Sequence, residues 1–431
     1  MHKPRVTSPS RLHCLMHGKN KDNYCAIVLD FGSGYCKAGF TNDDKPRTVF
    51  PSVIKYVHDT DDIYVGDEDT FRKRYNNMTL RRPIHRGIVT NWDDIERMWK
   101  HAFFNELRAN TTQHPILLTA PFLSISVNAK AYRERVARIL LEKFDAPAID
   151  FVDHSVLALY ANGSTTGCVV DSGYDVTSIV PIYEGYVLQH ATRSINLGGI
   201  DITKYLRRLL VECSSQSNQW IGDGNDSNKQ NNLILCDIKH TLCYVALDYE
   251  EEMAKTSCAL EDIQKPYVLP NMESVMIGAE RFQCPEIMFQ PDLIGLADEE
   301  GIADSVVSAI GICVDGGANN EQLQRELYAN VTLAGGNTLF PGMEERVSLL
   351  LSRNFALYFF FTNTLKHQIS LFYFATLSIL IHRSMHVDAD RIEEKCSSIH
   401  ECEYFVVAIG TAEVFFMDRW LHHCITSHIW G

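Results

Sequence analysis

Two stretches of this chain share one grammar. Ala26 to Leu29 is an apolar run that ends on Asp30 and opens into Gly32-Ser33-Gly34, after which Cys36 to Phe40 reads as a second strand. About 140 residues further on, Cys168-Val169-Val170 ends on Asp171, opens into Ser172-Gly173, and is followed by the strand-like run Val176 to Ile182. One glycine tip after a strand is an ordinary hairpin turn. Its recurrence is far more constraining, because two equivalent strand-turn-strand units imply two similar lobes turned toward a common space. A third apolar strand, Val331 to Ala334, ends on Gly335-Gly336-Asn337-Thr338 and brings one more glycine tip.

Such tips suit a phosphate. Glycine lets the backbone come close to a ligand and points successive N–H groups at it, while Ser33 adds a hydroxyl and Lys37 a cation. Asp30, at the carboxyl end of a buried strand, is placed to hold a metal through water, since Mg²⁺ keeps most of its hydration shell when it rides on phosphates.

The 431 residues are enough for two or more domains, each with its own core. A net charge of -14 argues against general binding to nucleic acids or anionic membranes, which demand basic surfaces. The 13 cysteines are odd in number and scattered, as expected of reduced thiols in a cytosolic protein. Residues 1–23 carry Lys3, Arg5, Arg11, Lys19 and Lys21 without an apolar core, and are expected to be a flexible basic arm. Phe355 to Ile381 is interrupted by Lys366 and His367, leaving no uncharged run long enough to cross a membrane. The cysteines and histidines near the end, Cys396, His400, Cys402, His422, His423 and Cys424, fit no compact zinc spacing.

Strands alternate with helices along the chain, which predicts an α/β protein. Trp92, Ile95, Trp99, Ala102 and Phe103 share one helical face, with Asp93, Asp94 and Glu96 in the first turn where the helix dipole favours acids. Pro115 to Thr119 and Ile149 to Val152 read as strands, Asn128 to Phe144 and Ser155 to Ala161 as helices. Residues 212–232 form a polar loop, and a long helix is expected over 237–253 with Lys239 near its start. Asn162-Gly163-Ser164 punctuates the chain as a hinge. The divisions expected are thus an arm (1–23), a first lobe (24–162), a second lobe (163–353) and a tail (354–431).

These residues together resemble the actin family. Asp30-Phe31-Gly32-Ser33-Gly34-Tyr35-Cys36-Lys37-Ala38-Gly39-Phe40 is similar to actin's first phosphate loop. Tyr64 to Glu68, Gly87 to Asp94, Leu117 to Thr119, Asp171-Ser172-Gly173, Pro181 to Tyr186, Leu242 to Asp248 and Leu327 to Asn330 continue the likeness in order. The resemblance covers Cys25 to about Ser352. It implies two α/β lobes with mixed sheets around a cleft for ATP and Mg²⁺ or Ca²⁺. By the same resemblance, Gly32, Ser33, Gly34 and Lys37 would hold the β- and γ-phosphates, and Asp30 and Asp171 would face the metal through water. Gly173 would belong to the second phosphate loop, Lys239 would lie beside the adenine, and Gly335, Gly336 and Asn337 would line the adenosine pocket. The partners implied are actin, actin-binding proteins or a multi-subunit complex, in the cytoplasm, on the cytoskeleton or in the nucleus.

The departures are as informative. Tyr174 and Asp175 stand where actin's second phosphate loop has Asp-Gly, and a carboxylate at the second position is expected to repel phosphate unless a cation intervenes. The glutamine that positions the attacking water in actin falls at His154, and the histidine that helps activate it at Ser178. ATP binding with slow or absent hydrolysis is therefore expected, with His154 as an alternative general base because its ordinary pKa lies near neutrality. The short segment between Ser52 and Tyr64, the apparent insertion at Gly316 to Asn320 and the basic arm make polymerisation and myosin binding doubtful. After Asn354 there is no equivalent of the Trp-Ile-Gly-Gly segment that completes actin's first lobe, so 354–431 is expected to be divergent. A nucleotide-free scaffold is one alternative. A two-lobed sugar-kinase-like phosphotransferase is another, against which stand the actin-like blocks Trp92 to Asp94 and Pro181 to Tyr186.

Overall fold

The computed structural model describes residues 25–58, 62–68, 78–120, 129–213, 229–258, 263–314, 320–355 and 366–367. The basic arm, most of the polar loop after Glu212, the Gly316 insertion and the cysteine- and histidine-rich tail lie outside the described residues.

The first strand, β1 (Ile27–Phe31), turns through Gly32-Ser33-Gly34 into β2 (Tyr35–Phe40), an antiparallel hairpin that sets Asp30 opposite Lys37. Ile27, Val28 and Leu29 are all buried, as a strand covered on both faces requires. β3 (Thr48–Pro51) pairs antiparallel with β2. β4 (Ile54–Val57), β5 (Ile63–Val65) and β6 (Met78–Arg81) make a small separate sheet, and β7 (Ile84–His85) and β8 (Ile88–Val89) a tight hairpin. β9 (Ile116–Ala120) then runs parallel to β1, and β10 (Ile149–Asp153) parallel to β9.

The second half repeats this plan. β11 (Gly167–Ser172) and β12 (Thr177–Tyr183) form the equivalent hairpin, extended by β13 (Tyr186–Val187) and β14 (Arg193–Ile195) on β12. After a side hairpin of β15 (Lys265–Val268) and β16 (Ser274–Ile277), β17 (Val331–Ala334) returns parallel to β11. β18 (Lys366–His367) lies parallel to β17. The order β2-β1-β9-β10 in one sheet thus matches β12-β11-β17-β18 in the other. β18 comes from the stretch expected to be a divergent tail, so at least these two residues join the second sheet.

Each lobe has its own core. In the first, Trp99 and Phe103 are fully buried beneath β1, on the helix Trp92–Lys100 and the π-helical turn His101–Glu106 that continues it. Asn91 caps this helix by accepting the Asp94 N–H at 3.0 Å. In the second, the helices Gly199–Cys213, Ile302–Val314 and Met343–Phe355 cover β11, β12 and β17.

Two expectations change. The helix predicted over 237–253 is two helices, Lys229–Leu242 and Tyr249–Cys258. Between them the Val245 N–H donates to the Pro341 carbonyl and the Tyr244 N–H to that of Arg281, tertiary bonds a helix would forbid, and Asp248 caps the new helix by accepting the Glu251 N–H. Helix His154–Ala161, expected to finish the first lobe, packs Val156, Ala158 and Leu159 against Val169, Val180, Ile182 and Ala334 of the second sheet.

Candidate nucleotide cleft

The site grows from the ends of the central strands. Asp30 leaves β1 and accepts two hydrogen bonds, from Lys37 Nζ at 3.1 Å and from Thr119 Oγ1 of β9 at 2.6 Å. Burial works to raise the Asp30 pKa, but the Lys37 charge and these hydrogen bonds hold it below the usual carboxylate range. Burial works to lower that of Lys37, and Asp30 outweighs it, so the lysine is held above its ordinary value. The pair is charged, with Asp171 also acting on Lys37.

Asp171 leaves β11 in the equivalent place. Its Oδ2 meets His154 Nε2 at 2.8 Å, and β17 ends beside it in Gly335, whose φ of +88° suits glycine. A methyl group on Gly335 would stand 2.5 Å from Asp171 Oδ1 and 2.2 Å from the Ser172 carbonyl oxygen. Burial pushes the His154 pKa down, but Asp171, then Asp153 and Asp30, push it up more, to about 9. His154 therefore carries a proton at neutral pH, although it opens a helix whose dipole disfavours a cation. Asp30, Lys37 and Asp171 from the two hairpins and His154 from the start of its helix form one cluster of two acids and two cations.

The loop after Gly173 does not stand off from the first. Asp175, only 4 % exposed, accepts the Ser33 hydroxyl on Oδ1 and the Arg86 backbone N–H on Oδ2, both at 2.6 Å. The Arg86 guanidinium donates to the Asp175 carbonyl and forms a two-pronged ion pair with Asp201 at 2.8 and 3.1 Å. Tyr174 lies against Gly34, where a methyl group would stand 2.6 Å from its Cβ, and the Arg82 guanidinium stacks 4.3 Å above its ring. Arg82 also donates to the carbonyls of Ser33, Gly34 and Ser52.

The third glycine tip meets the second loop from the other side. Asn337 Nδ2 donates to the Gly173 carbonyl at 2.6 Å and to Ser172 Oγ at 3.1 Å. Lys239 lies in the last turn of its helix, not near the start, and donates to the Gly199 carbonyl at 2.9 Å. Burial lowers its pKa. A side chain on Gly199 would collide with Asn337 Oδ1 at 2.8 Å and press on Lys239 Nζ at 3.3 Å, whereas one on Gly336 would meet nothing within 4 Å.

The sequence candidates thus gather into two neighbouring groups. Asp30, Gly32, Ser33, Gly34, Lys37, Asp171, Gly173 and His154 lie at or beside the facing tips, and Lys239, Gly335, Gly336 and Asn337 pack together next to them around Gly199 and the second loop. Ser178 is buried on β12 opposite Asp171. Sequence reasoning passed over Arg82, Arg86, Thr119 and Asp201. The only local signal for Arg86 was the turn it forms with Gly87, both at positive φ, between two very short strands.

Two similar α/β lobes, each built on a strand-Asp-x-Gly hairpin, with a third glycine-tipped strand beside the second hairpin, define a two-lobed α/β class of protein. Comparison with models of protein families matches the Actin family over residues 21–363 of the 431, and the chain belongs to that family. Proteins of this fold typically bind a nucleotide with a divalent metal. The residues present fit such a pair: the tip glycines Gly32 and Gly173, the lysine Lys37, and the carboxylates of Asp30 and Asp171 at the ends of the two facing strands. Among the described residues no three His, Cys, Asp or Glu side chains converge on one point, so a cation here would be held through water and phosphate oxygens. Among the same residues no helix is long and apolar enough to cross a membrane.

Proposed function

We propose that this chain is an actin-like structural protein that binds an adenine nucleotide with Mg²⁺ or Ca²⁺ between its lobes and hydrolyses it slowly or not at all. It would act through contacts with actin, actin-binding proteins or a larger complex, on the cytoskeleton or in the nucleus. The observation that carries the binding reading is the four-charge cluster beside the facing glycine tips, a half-buried arrangement whose acids and lysine suit a cation and a phosphate chain. Lys37 would hold phosphate oxygens, Asp30 and Asp171 the hydrated cation, and Gly335, Gly336, Asn337 and Lys239 the adenosine end. When bound, the cation would neutralise phosphate charge.

Weak hydrolysis is supported by His154. Its Nε2 donates to the Asp171 carboxylate at 2.8 Å, so that nitrogen carries a hydrogen and not a lone pair for a proton from water, and the Ser178 hydroxyl is too weak a base to replace it. The His154→Gln, Ser178→His double variant should raise ATP turnover at least tenfold over a slow wild type. Unmoved turnover, or a wild type that already hydrolyses rapidly, would overturn this part.

A specific observation favours a second reading, that of a nucleotide-independent scaffold. Ser33-Asp175, Arg86-Asp175, Arg86-Asp201 and Arg82-Tyr174 already join the lobes with the chain's own side chains. Absence of measurable affinity for any adenine nucleotide would decide for the scaffold.

A further inference from the structure

Resting on the nucleotide reading above, we propose that Asp175 is a built-in anion standing where a third phosphate would sit between the two loops, so that the cleft takes nucleoside diphosphates in preference to triphosphates. Ser33 is the one side-chain hydroxyl of the tip Gly32-Ser33-Gly34, and it is spent on Asp175 Oδ1 at 2.6 Å. The other carboxylate oxygen takes the Arg86 backbone N–H at 2.6 Å. Both oxygens of an acid carried by the second lobe thus use donors of the first, the bonding pattern of a bridging phosphate.

Among the described residues, the two arginines bonded to these loops already have partners. The Arg86 guanidinium is engaged by Asp201 and by the Asp175 carbonyl, and Arg82 by three carbonyls and the Tyr174 ring. The loop has no room to retreat, because Gly198 packs so closely that a methyl group on it would lie 2.5 Å from the Asp175 nitrogen and Cα. The Gly173 N–H and the Val176 carbonyl close the turn behind it at 2.9 Å. Tyr174 fills the space over Gly34. A terminal phosphate entering between the tips would lose the Ser33 hydroxyl and meet a like charge in a buried place, where repulsion is weakly screened. On this reading a chain of two phosphates would end short of Asp175, leaving Lys37, Asp30, Asp171 and the residues proposed for the adenosine end unaffected.

Calorimetric titration of the full chain with Mg-ADP and Mg-ATP tests this. Wild type should bind ADP at least tenfold more tightly than ATP. Asp175→Asn, which keeps the shape and removes the charge, should bring the two within about threefold through a gain in ATP affinity, and Asp175→Gly should act in the same direction. Equal or tighter ATP binding by wild type overturns the proposal, as does an unchanged ratio in a folded Asp175→Asn protein. A measurement needing no variant uses beryllium fluoride as a terminal-phosphate mimic. Added to wild type saturated with Mg-ADP it should leave Tm unchanged, and a rise would overturn the proposal. No binding of either nucleotide would overturn the underlying nucleotide reading and the preference with it, an outcome distinct from binding without preference.

Discussion

The Ser33 hydroxyl donates to the Asp175 carboxylate at 2.6 Å across 142 positions of sequence, joining the tips of the two phosphate-type loops. A hydrogen bond to an ionised acceptor contributes about 1.5–3 kcal/mol, and removing the donor leaves a buried oxygen with less support. Ser33→Ala should therefore lower stability by about 1–2 kcal/mol, read as a lower urea midpoint with an unchanged slope. An unaltered midpoint would show that the contact adds nothing to the folded state.

Gly335 is at φ +88° with the Ser172 carbonyl oxygen 2.2 Å from where a methyl group would sit. Backbone strain of this kind costs about 1–3 kcal/mol, and the clash falls on the turn that carries Asp171. Gly335→Ala should destabilise the protein by at least about 2 kcal/mol and weaken nucleotide binding. Gly336→Ala, where a side chain meets open space, should leave stability within about 0.5 kcal/mol, so comparing their thermal transitions isolates the geometry.

His154 has a pKa of about 9 in the folded protein because Asp171, Asp153 and Asp30 outweigh burial. A raised imidazole pKa contributes stability that is fully present below the ordinary value of 6.5 and fades as pH rises through about 9. In the metal-free protein, NMR titration of the His154 ring should show it still protonated at pH 7.5. A midpoint near 6.5 would show that Asp171, Asp153 and Asp30 do not outweigh burial.

Glu286 gives the opposite lesson about charge. Its side chain is fully buried beside Arg346, 3.3 Å away, and Gln290, yet burial raises its pKa to about 7. Between its ordinary 4.5 and about 7 the folded protein keeps a proton the unfolded chain has lost, so stability falls as pH rises through that window. Glu286→Gln should flatten this slope. The stability of wild type relative to the variant should drop by up to about 3 kcal/mol from pH 4.5 to pH 7.5, measured by urea unfolding at each pH.

The hairpin strands and their acids were legible in the sequence because a buried strand ending in Asp-x-Gly is a local pattern, complete within a dozen residues. Gly335-Gly336-Asn337 was legible for the same reason. The surroundings of Asp175 were not. Beside a phosphate its charge predicts repulsion, and only the fold brings Arg86 from 89 positions away to receive it. The break between Leu242 and Tyr249 was partly written in Asp248, a good cap, but the bonds of Tyr244 and Val245 to Arg281 and Pro341 are tertiary and override helical propensity. The placement of helix His154–Ala161 on the second sheet likewise depends on partners such as Val180 and Ala334 that lie far along the chain. That β18 takes the place in the second sheet that β10 has in the first follows from topology, which two residues of sequence do not encode.

Thermal unfolding of the full chain with and without Mg-ADP tests whether the facing tips assemble a nucleotide cleft. At a hundred times its dissociation constant a ligand adds about 2.7 kcal/mol to the folded state, so a clear rise in Tm that grows with nucleotide concentration is predicted. A cooperative transition whose Tm does not move with any adenine nucleotide would contradict the claim and leave a scaffold held by Ser33, Asp175 and Arg86 in its place.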